Sequence, residues 1–313
     1  MALLVRSASL PKSSTRADLW DLRSSPPTNT SSMDADRSAD GEGVIMKFKF
    51  GFIGCGNMGG ALAQAVAKST DPTEIVLCDA NIEKAAALAE SLGCGVALLE
   101  QVVADCEYIF LGVKPQGFEG LFAEIAPILK ARKDRFVLIS MAAGVSVAAV
   151  EKMCGKKAPV IRIMPNTPVS VGEGMILYTA NDAVTEKEID TFLHALAKAG
   201  KLDEISEDKI DAASALSGCG PAFVYLFAEA LADGAVECGL ARDKANLYAA
   251  QTLLGAAELL LQSGKHPGEL KDAVCSPGGT TIAGVHALEE GSFRSTAMSA
   301  VTAAYEKTLK LKK

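Results

Sequence analysis

The chain has 313 residues, a formal net charge of −7 and 22% charged residues. That length accommodates about two domains and a sizeable core without disulfide or metal staples. The acidic balance argues against nucleic acid as a partner. No uncharged apolar run reaches 18 residues, so no segment reads as membrane-spanning and no membrane partner is expected. The eight Cys, at 55, 78, 94, 106, 154, 219, 238 and 275, form no Cys-x-x-Cys. The three His, at 194, 266 and 286, have no ligand spacing. A disulfide framework, a metal site and a Ser-His-Asp triad are therefore not expected. The pattern fits a reducing, intracellular compartment, most simply the cytoplasm.

Residues 1–45 are rich in Ser, Thr, Asp and Pro and show no apolar period. Arg6, Lys12 and Arg16 stand among Ser and Ala before the first acidic residue, Asp18. Two readings stay open, a disordered extension and a transit-like segment that would direct the chain to a plastid or mitochondrion. Leu3, Leu4 and Val5 are too few for the apolar region of a secretory signal.

From Lys47 the pattern changes. Phe48, Phe50, Phe52 and Ile53 predict a strand that runs into Gly54-Cys55-Gly56-Asn57-Met58-Gly59, followed by Ala61, Leu62, Ala65 and Val66 at helical spacing. Strand, G-x-G-x-x-G and helix in that order predict a dinucleotide loop. Gly54 allows the tight turn, Gly56 lets the backbone approach a pyrophosphate, and Gly59 lets the helix pack on the strand. The helix N-terminus then presents free N–H groups to the phosphate. A second strand, from Glu74 to Cys78, ends at Asp79, 20 residues after Gly59. An acidic residue there binds ribose hydroxyls and repels a 2′-phosphate, which favours NAD over NADP. The other reading of Asp79 is a cap for the next helix, Asn81 to Leu92.

Further strands are predicted at Tyr108 to Val113, Phe136 to Ser140 and Val160 to Met164, with a helix from Phe118 to Leu129. Alternation of this kind predicts an α/β fold with a parallel, doubly wound sheet. Ligands bind beyond the carboxyl ends of such strands. Val113-Lys114-Pro115, Ala142-Ala143-Gly144 and Pro165-Asn166-Thr167 sit at those ends and are candidates to line the rest of the dinucleotide.

After a last strand signal at Leu202 to Ile205 the chain reads as helical. Helices are predicted from Asp208 to Leu216, Pro221 to Glu237, Arg242 to Gln262, Pro267 to Val274, Ile282 to Glu289 and Ser292 to Leu309, with a break at Ser217 to Pro221. The long Ala-rich helices make a thin core and point to a dimer interface, where small residues allow close approach. The loop Ser276-Pro277-Gly278-Gly279-Thr280-Thr281 offers backbone N–H groups, two flexible Gly and three hydroxyls at a helix start. It reads equally as an anion cradle for a carboxylate and as a capping loop using Thr280 or Thr281.

Taken together, Phe52–Gly59, Val113–Pro115, Ala142–Gly144, Met164–Pro168, Ser217–Pro221 and Lys271–Thr281 resemble pyrroline-5-carboxylate reductases. The resemblance runs from about Met46 to the C-terminus, and its last motif is the most specific. It implies a Rossmann-type sheet domain at 46–206 followed by an all-α dimerisation and substrate domain at 207–313. It implies NADPH- or NADH-dependent reduction of the C=N bond of 1-pyrroline-5-carboxylate to L-proline, by a homodimer or a larger ring such as a decamer. Carried over by motif, Gly54, Cys55, Gly56, Asn57 and Met58 hold the pyrophosphate. Val113, Lys114, Pro115, Ala142, Ala143, Gly144 and Asn166 border the nicotinamide half. Ser276, Gly278, Gly279, Thr280 and Thr281 hold the substrate, with Thr281 against the imine nitrogen. Asp79 departs from the family, where a small hydroxyl residue is frequent, and leaves the choice of dinucleotide open. The alternatives are a 3-hydroxyacid dehydrogenase, whose catalytic residue would be sought among Lys244, Lys265 and Lys271, and a non-catalytic dinucleotide-binding scaffold.

Overall fold

In the first strand, β1 (Phe48–Ile53), apolar side chains alternate about a backbone that must lie flat against its neighbours. Phe50 and Phe52 are fully buried, and the Phe52 ring stacks on Phe110 of a neighbouring strand with centroids 4.3 Å apart. The computed structural model describes residues 48–311; the expectations for residues 1–45 lie outside them. The further strands are β2 (Ile75–Cys78), β3 (Gly95–Val96), β4 (Cys106–Leu111), β5 (Val137–Ser140), β6 (Val160–Met164), β7 (Gly174–Ala180) and β8 (Gly200–Glu204). They form one sheet in the order β3-β2-β1-β4-β5-β6-β7-β8.

The first six strands are parallel, as alternation predicts, and the order reverses beside β1 as in a doubly wound sheet. β7 departs from this. It runs antiparallel to β6, and β8 then pairs parallel to β7. The connection from β6 to β7 is a short 3-10 turn, Thr167–Val171, too short for a parallel crossover. The last strand lies at Gly200–Glu204 rather than Leu202 to Ile205 because its register is set by pairing with Gly174–Tyr178.

Helices cover both faces. α1 (Asn57–Ala67), α2 (Ile82–Leu92) and α6 (Glu186–Ala195) bury small apolar residues such as Ala61, Ala85 and Ala195, with Phe192, against one face. α3 (Leu99–Asp105), α4 (Phe118–Ala131) and α5 (Val147–Cys154) pack on the other through Val102, Phe122, Ile125 and Val150. Each layer removes large apolar side chains from water at roughly 25 cal/mol per Å².

The C-terminal part consists of α7 (Glu207–Ser217), α8 (Gly220–Glu237), α9 (Arg242–Ser263), α10 (Pro267–Ala273), α11 (Thr280–Glu290) and α12 (Phe293–Leu311). The break expected at Ser217 to Pro221 is slight: Gly218 and Cys219 keep right-handed helical dihedrals, and Pro221 falls in the first turn of α8, where its missing N–H costs nothing. Joined, Glu207–Glu237 is a 31-residue stretch with a mean hydropathy of 1.4 in its most apolar part. By length and composition it is apolar enough to cross a membrane, which a search for uncharged runs overlooks.

Packing in these helices is thin. Between α8 and α9 the buried cluster is three alanines, Ala232, Ala245 and Ala249. Large apolar side chains point outward instead, among them Leu216, Leu226, Leu247, Leu254, Leu259 and Met298. Such an accumulation marks an association surface.

Candidate functional site

Because β1, β4, β5 and β6 are parallel, the loops after Ile53, Leu111, Ser140 and Met164 all leave the same edge of the sheet. At this edge the chain turns from β1 into α1 through Gly54, whose φ of +97° is poorly accessible to residues with a Cβ. The Gly54 N–H donates to the Cys78 carbonyl at 2.7 Å. A Cβ on Gly59 would lie 2.0 Å from the Gly54 carbonyl oxygen, and one on Gly112 would lie 2.7 Å from the same atom. Three backbone segments thus meet without intervening side chains, which draws the start of α1 over the sheet edge. Gly56 faces open space, with nothing within 4 Å of a Cβ built there. It is also the N-cap of α1 and provides no side-chain cap, so the N–H groups of the first turn are left for a ligand.

Asp79 stands directly after β2. Its Oδ2 accepts the Cys55 N–H at 2.6 Å and its Oδ1 accepts the Asn81 N–H at 2.9 Å. The cap of α2 is Asn81, whose Oδ1 accepts the Lys84 N–H at 3.1 Å, so the alternative role of Asp79 as helix cap falls away. Asp79 instead ties the dinucleotide loop to the end of β2, where a ribose is bound in folds of this class. Cys55 is 3% exposed, and burial together with the Asp79 charge pushes its thiol up to about 12. It stays protonated near neutrality and is no nucleophile.

Val113 packs on the apolar cluster beneath α4, Lys114 is exposed, and Pro115 opens a 3-10 turn closed by the Gly117 N–H to the Lys114 carbonyl at 2.8 Å. Ala142 is buried, Ala143 is exposed, and Gly144 adopts φ +75° before α5. Asn166 is 9% exposed and both ends of its amide are engaged. Its Nδ2 donates to the Ser217 carbonyl at 3.0 Å, and its Oδ1 accepts the Met175 N–H at 2.9 Å. It therefore fixes the loop that carries it and links the sheet to the end of α7.

The loop before α11 is built in the same way as the one before α1. Gly278 has φ +67°, the Gly279 N–H donates to the Ser276 carbonyl at 3.0 Å, and the Ser276 Oγ lies 2.3 Å from where a Cβ on Gly279 would stand. The N-cap is Gly279, without a side-chain cap, so neither Thr280 nor Thr281 is the capping residue. The first-turn N–H groups stay open, and Ser276, Thr280 and Thr281 are all exposed. Alongside runs an open groove of about 500 Å³ lined by Gly278, Gly279, Ile282, Ala283, Val285, His286 and Glu289. α11 buries no residue and packs mainly on α12. The lysines weighed for a dehydrogenase are engaged or exposed: Lys265 pairs with Glu269 at 2.6 Å, Lys271 with Asp272, and Lys244 is exposed.

Residues 49–144 match a family profile described as NADP oxidoreductase, coenzyme F420-dependent, and residues 207–311 match one described as pyrroline-5-carboxylate reductase dimerisation. A pyrroline-5-carboxylate reductase of Pisum sativum is 41% identical over 84% of this chain and 96% of its own length. That of Escherichia coli K12 is 41% identical over 86% of this chain and all of its own. The chain belongs to the pyrroline-5-carboxylate reductase family. Two solved structures with that name are similar in fold at 33% identity. The Coxiella burnetii protein has a TM-score of 0.78 over 85% of this chain and 99% of its own, and the Plasmodium falciparum protein, with NADP bound, 0.74 over 86% and 100%. The Rossmann-type fold, the oxidoreductase class and the use of NAD(P)H expected from the sequence are thereby borne out. An oligomer-forming segment is borne out as well.

The sequence reading missed a polar group just behind this edge. Arg162 of β6, 2% exposed, meets Glu207 and Asp211 of α7. Its signal was a single Arg inside the apolar run Val160–Met164 and a Glu-Asp pair four residues apart. Gly112 was missed too, since a glycine at the end of β4 shows its purpose only beside Gly54.

Proposed function

We propose that this chain reduces the C=N bond of 1-pyrroline-5-carboxylate to give L-proline, the last step of proline biosynthesis, with NADPH or NADH as reductant. The observation that carries this reading is the similarity at about 41% identity to reductases of that name along nearly their entire length. The site supports it through two glycine-capped helix starts whose N–H groups are open, one suited to a pyrophosphate and one to a carboxylate.

The residues fit a dinucleotide, since Gly54, Gly59 and Gly112 leave a cradle no side chain enters and Gly56 faces open space. Gly54 to Met58 hold the pyrophosphate, Asp79 faces the adenine ribose, and Val113 to Pro115 with Ala142 to Gly144 border the nicotinamide half. Asn166 serves by holding its loop in place. When bound, the reduced dinucleotide supplies the hydride. Ser276 and Gly278 to Thr281 receive the substrate carboxylate through N–H groups and hydroxyls. The Thr281 hydroxyl orients the imine nitrogen. A protonated imine is already electrophilic, so placement is most of what the protein must provide. A neutral Cys55 is consistent with a site that uses no nucleophile.

The functional unit we propose is a homodimer, extendable to a ring such as a decamer, with the domain division at 206/207. It is supported by the outward apolar side chains of α8 and α9, and by a substrate loop whose helix, α11, buries no residue among those described. An intracellular location is supported by eight free cysteines. The test is steady-state kinetics with 1-pyrroline-5-carboxylate and each reduced dinucleotide. Turnover with at least one is expected; none with either, in folded protein, overturns the proposal.

A further inference from the structure

Arg162 lies on β6 in register with Ser140 of β5 and Thr179 of β7, within the buried run Val160–Ile163. Its guanidinium crosses to the helical part. Nη1 donates to Glu207 Oε1 at 3.2 Å and Nη2 to Asp211 Oδ1 at 2.8 Å. Glu207 and Asp211 are one helical turn apart on α7, so a single fork reads both. The same Glu207 Oε1 accepts the Val147 N–H at 2.7 Å. Val147 is the first residue of α5, three residues beyond Gly144 of the loop Ala142-Ala143-Gly144, and a carboxylate is favoured there by the helix dipole. The far end of α7 is held as well, because the Ser217 carbonyl accepts from Asn166 two residues beyond β6. α7 in turn packs against α12, the helix on which α11 rests.

From this geometry we infer that Arg162 and Glu207 are positioning residues for hydride transfer: their ion pair, anchored by the buried Arg162–Asp211 half of the fork, sets the loop 142–144 and the base of the helical domain in one fixed relation. The inference rests on the site assignment above, in which that loop borders the nicotinamide and the loop before α11 holds the imine acid. A surface ion pair would not do this, since exposed charges exchange partners with water at little cost. The Arg162 guanidinium, at 3% side-chain exposure, has no such alternative, and it holds Glu207, itself 35% exposed, against the N-terminus of α5. Arg162, Glu207 and Asp211 lie outside the loops assigned above to either ligand, so dinucleotide affinity, assigned to the β1–α1 loop, is not their task.

The test compares Glu207→Gln, which keeps the shape and loses the charge, with Arg162→Lys, which keeps the charge and loses the fork. Arg135→Gln is the control, removing an ion pair to Glu188 at 2.6 Å that lies away from α7. For Glu207→Gln, kcat/KM for 1-pyrroline-5-carboxylate is expected to fall at least about tenfold, as a displacement of about 1 Å between reactants does. Dinucleotide Kd, read by fluorescence titration, is expected to stay within about twofold of wild type, because the open N–H groups at the start of α1 assigned to the pyrophosphate are left in place. Arg162→Lys should behave alike, and Arg135→Gln should leave both constants unchanged. If Arg162→Lys does not fold, Glu207→Gln decides alone. A kcat/KM of Glu207→Gln equal to wild type, or a dinucleotide Kd that weakens in step with it, overturns the inference. Absence of turnover in the wild type would instead overturn the site assignment on which it rests.

Discussion

Asp79 shows how one side chain can carry two tasks. Its carboxylate accepts N–H groups from Cys55 and Asn81, so it shapes the loop between β1 and α1. Its charge also stands where an adenine ribose would lie, and a 2′-phosphate there would meet a like charge. Asp79→Ser should shift the ratio of kcat/KM towards NADPH by about tenfold, the effect of roughly 1.4 kcal/mol. Kinetics with both dinucleotides check this, and an unchanged ratio would remove the ribose role. Thr281 differs, being exposed at the second position of α11 with no intramolecular partner needed for the cap, which Gly279 provides. Thr281→Ala should therefore leave folding and dinucleotide affinity intact while kcat/KM for the imine acid falls roughly tenfold or more, the value of one hydrogen bond to a charged group. A loss confined to dinucleotide binding would place Thr281 elsewhere.

Helices and strands here take their positions from backbone contacts that tolerate no side chain. Gly59 is the sharpest case, because a Cβ would lie 2.0 Å from a carbonyl oxygen rather than from a flexible side chain. Gly59→Ala must lift α1 from the end of β1. A stability loss of about 1–3 kcal/mol is expected from such overpacking, with a dinucleotide affinity at least about tenfold weaker as the open N–H groups lose their aim. Thermal melting and fluorescence titration measure the two. The two helix starts at α1 and α11 share their logic, a glycine cap and an uncapped first turn, although no sequence period relates them. The antiparallel strand β7 has no comparable signature. Gly174–Ala180 alternates weakly, and its direction follows from the short 3-10 turn that precedes it.

Across the chain the two parts differ in how they keep apolar surface from water. The sheet buries Phe50, Phe52, Phe110 and Phe192 between two helical layers. The helices from α8 onward bury little but alanine and leave leucines outward, so the proposed association would be what stabilises them. Replacing both Leu226 and Leu254 by Glu should shift sedimentation towards the monomer and abolish turnover, since buried carboxylates without partners cost several kcal/mol. A monomer of full activity would separate catalysis from association.

Much of this was legible in the residues themselves. The strand-loop-helix at Phe48 to Val66 and the succession of buried strands follow from local periodicity and from glycines whose spacing has a steric cause. The helical character of the second part follows likewise, as does the family by the order of its motifs. Three-dimensional packing settled what depends on residues far apart in sequence. Asp79 bonds Cys55 rather than capping α2, Asn166 turns its amide inward to Ser217, and Arg162 finds its carboxylates 45 and 49 residues away. Direction and pairing of the last strands belong to the same group. Local pattern reports which face of an element avoids water, but the partner of a buried polar group is chosen only when the chain has folded around it.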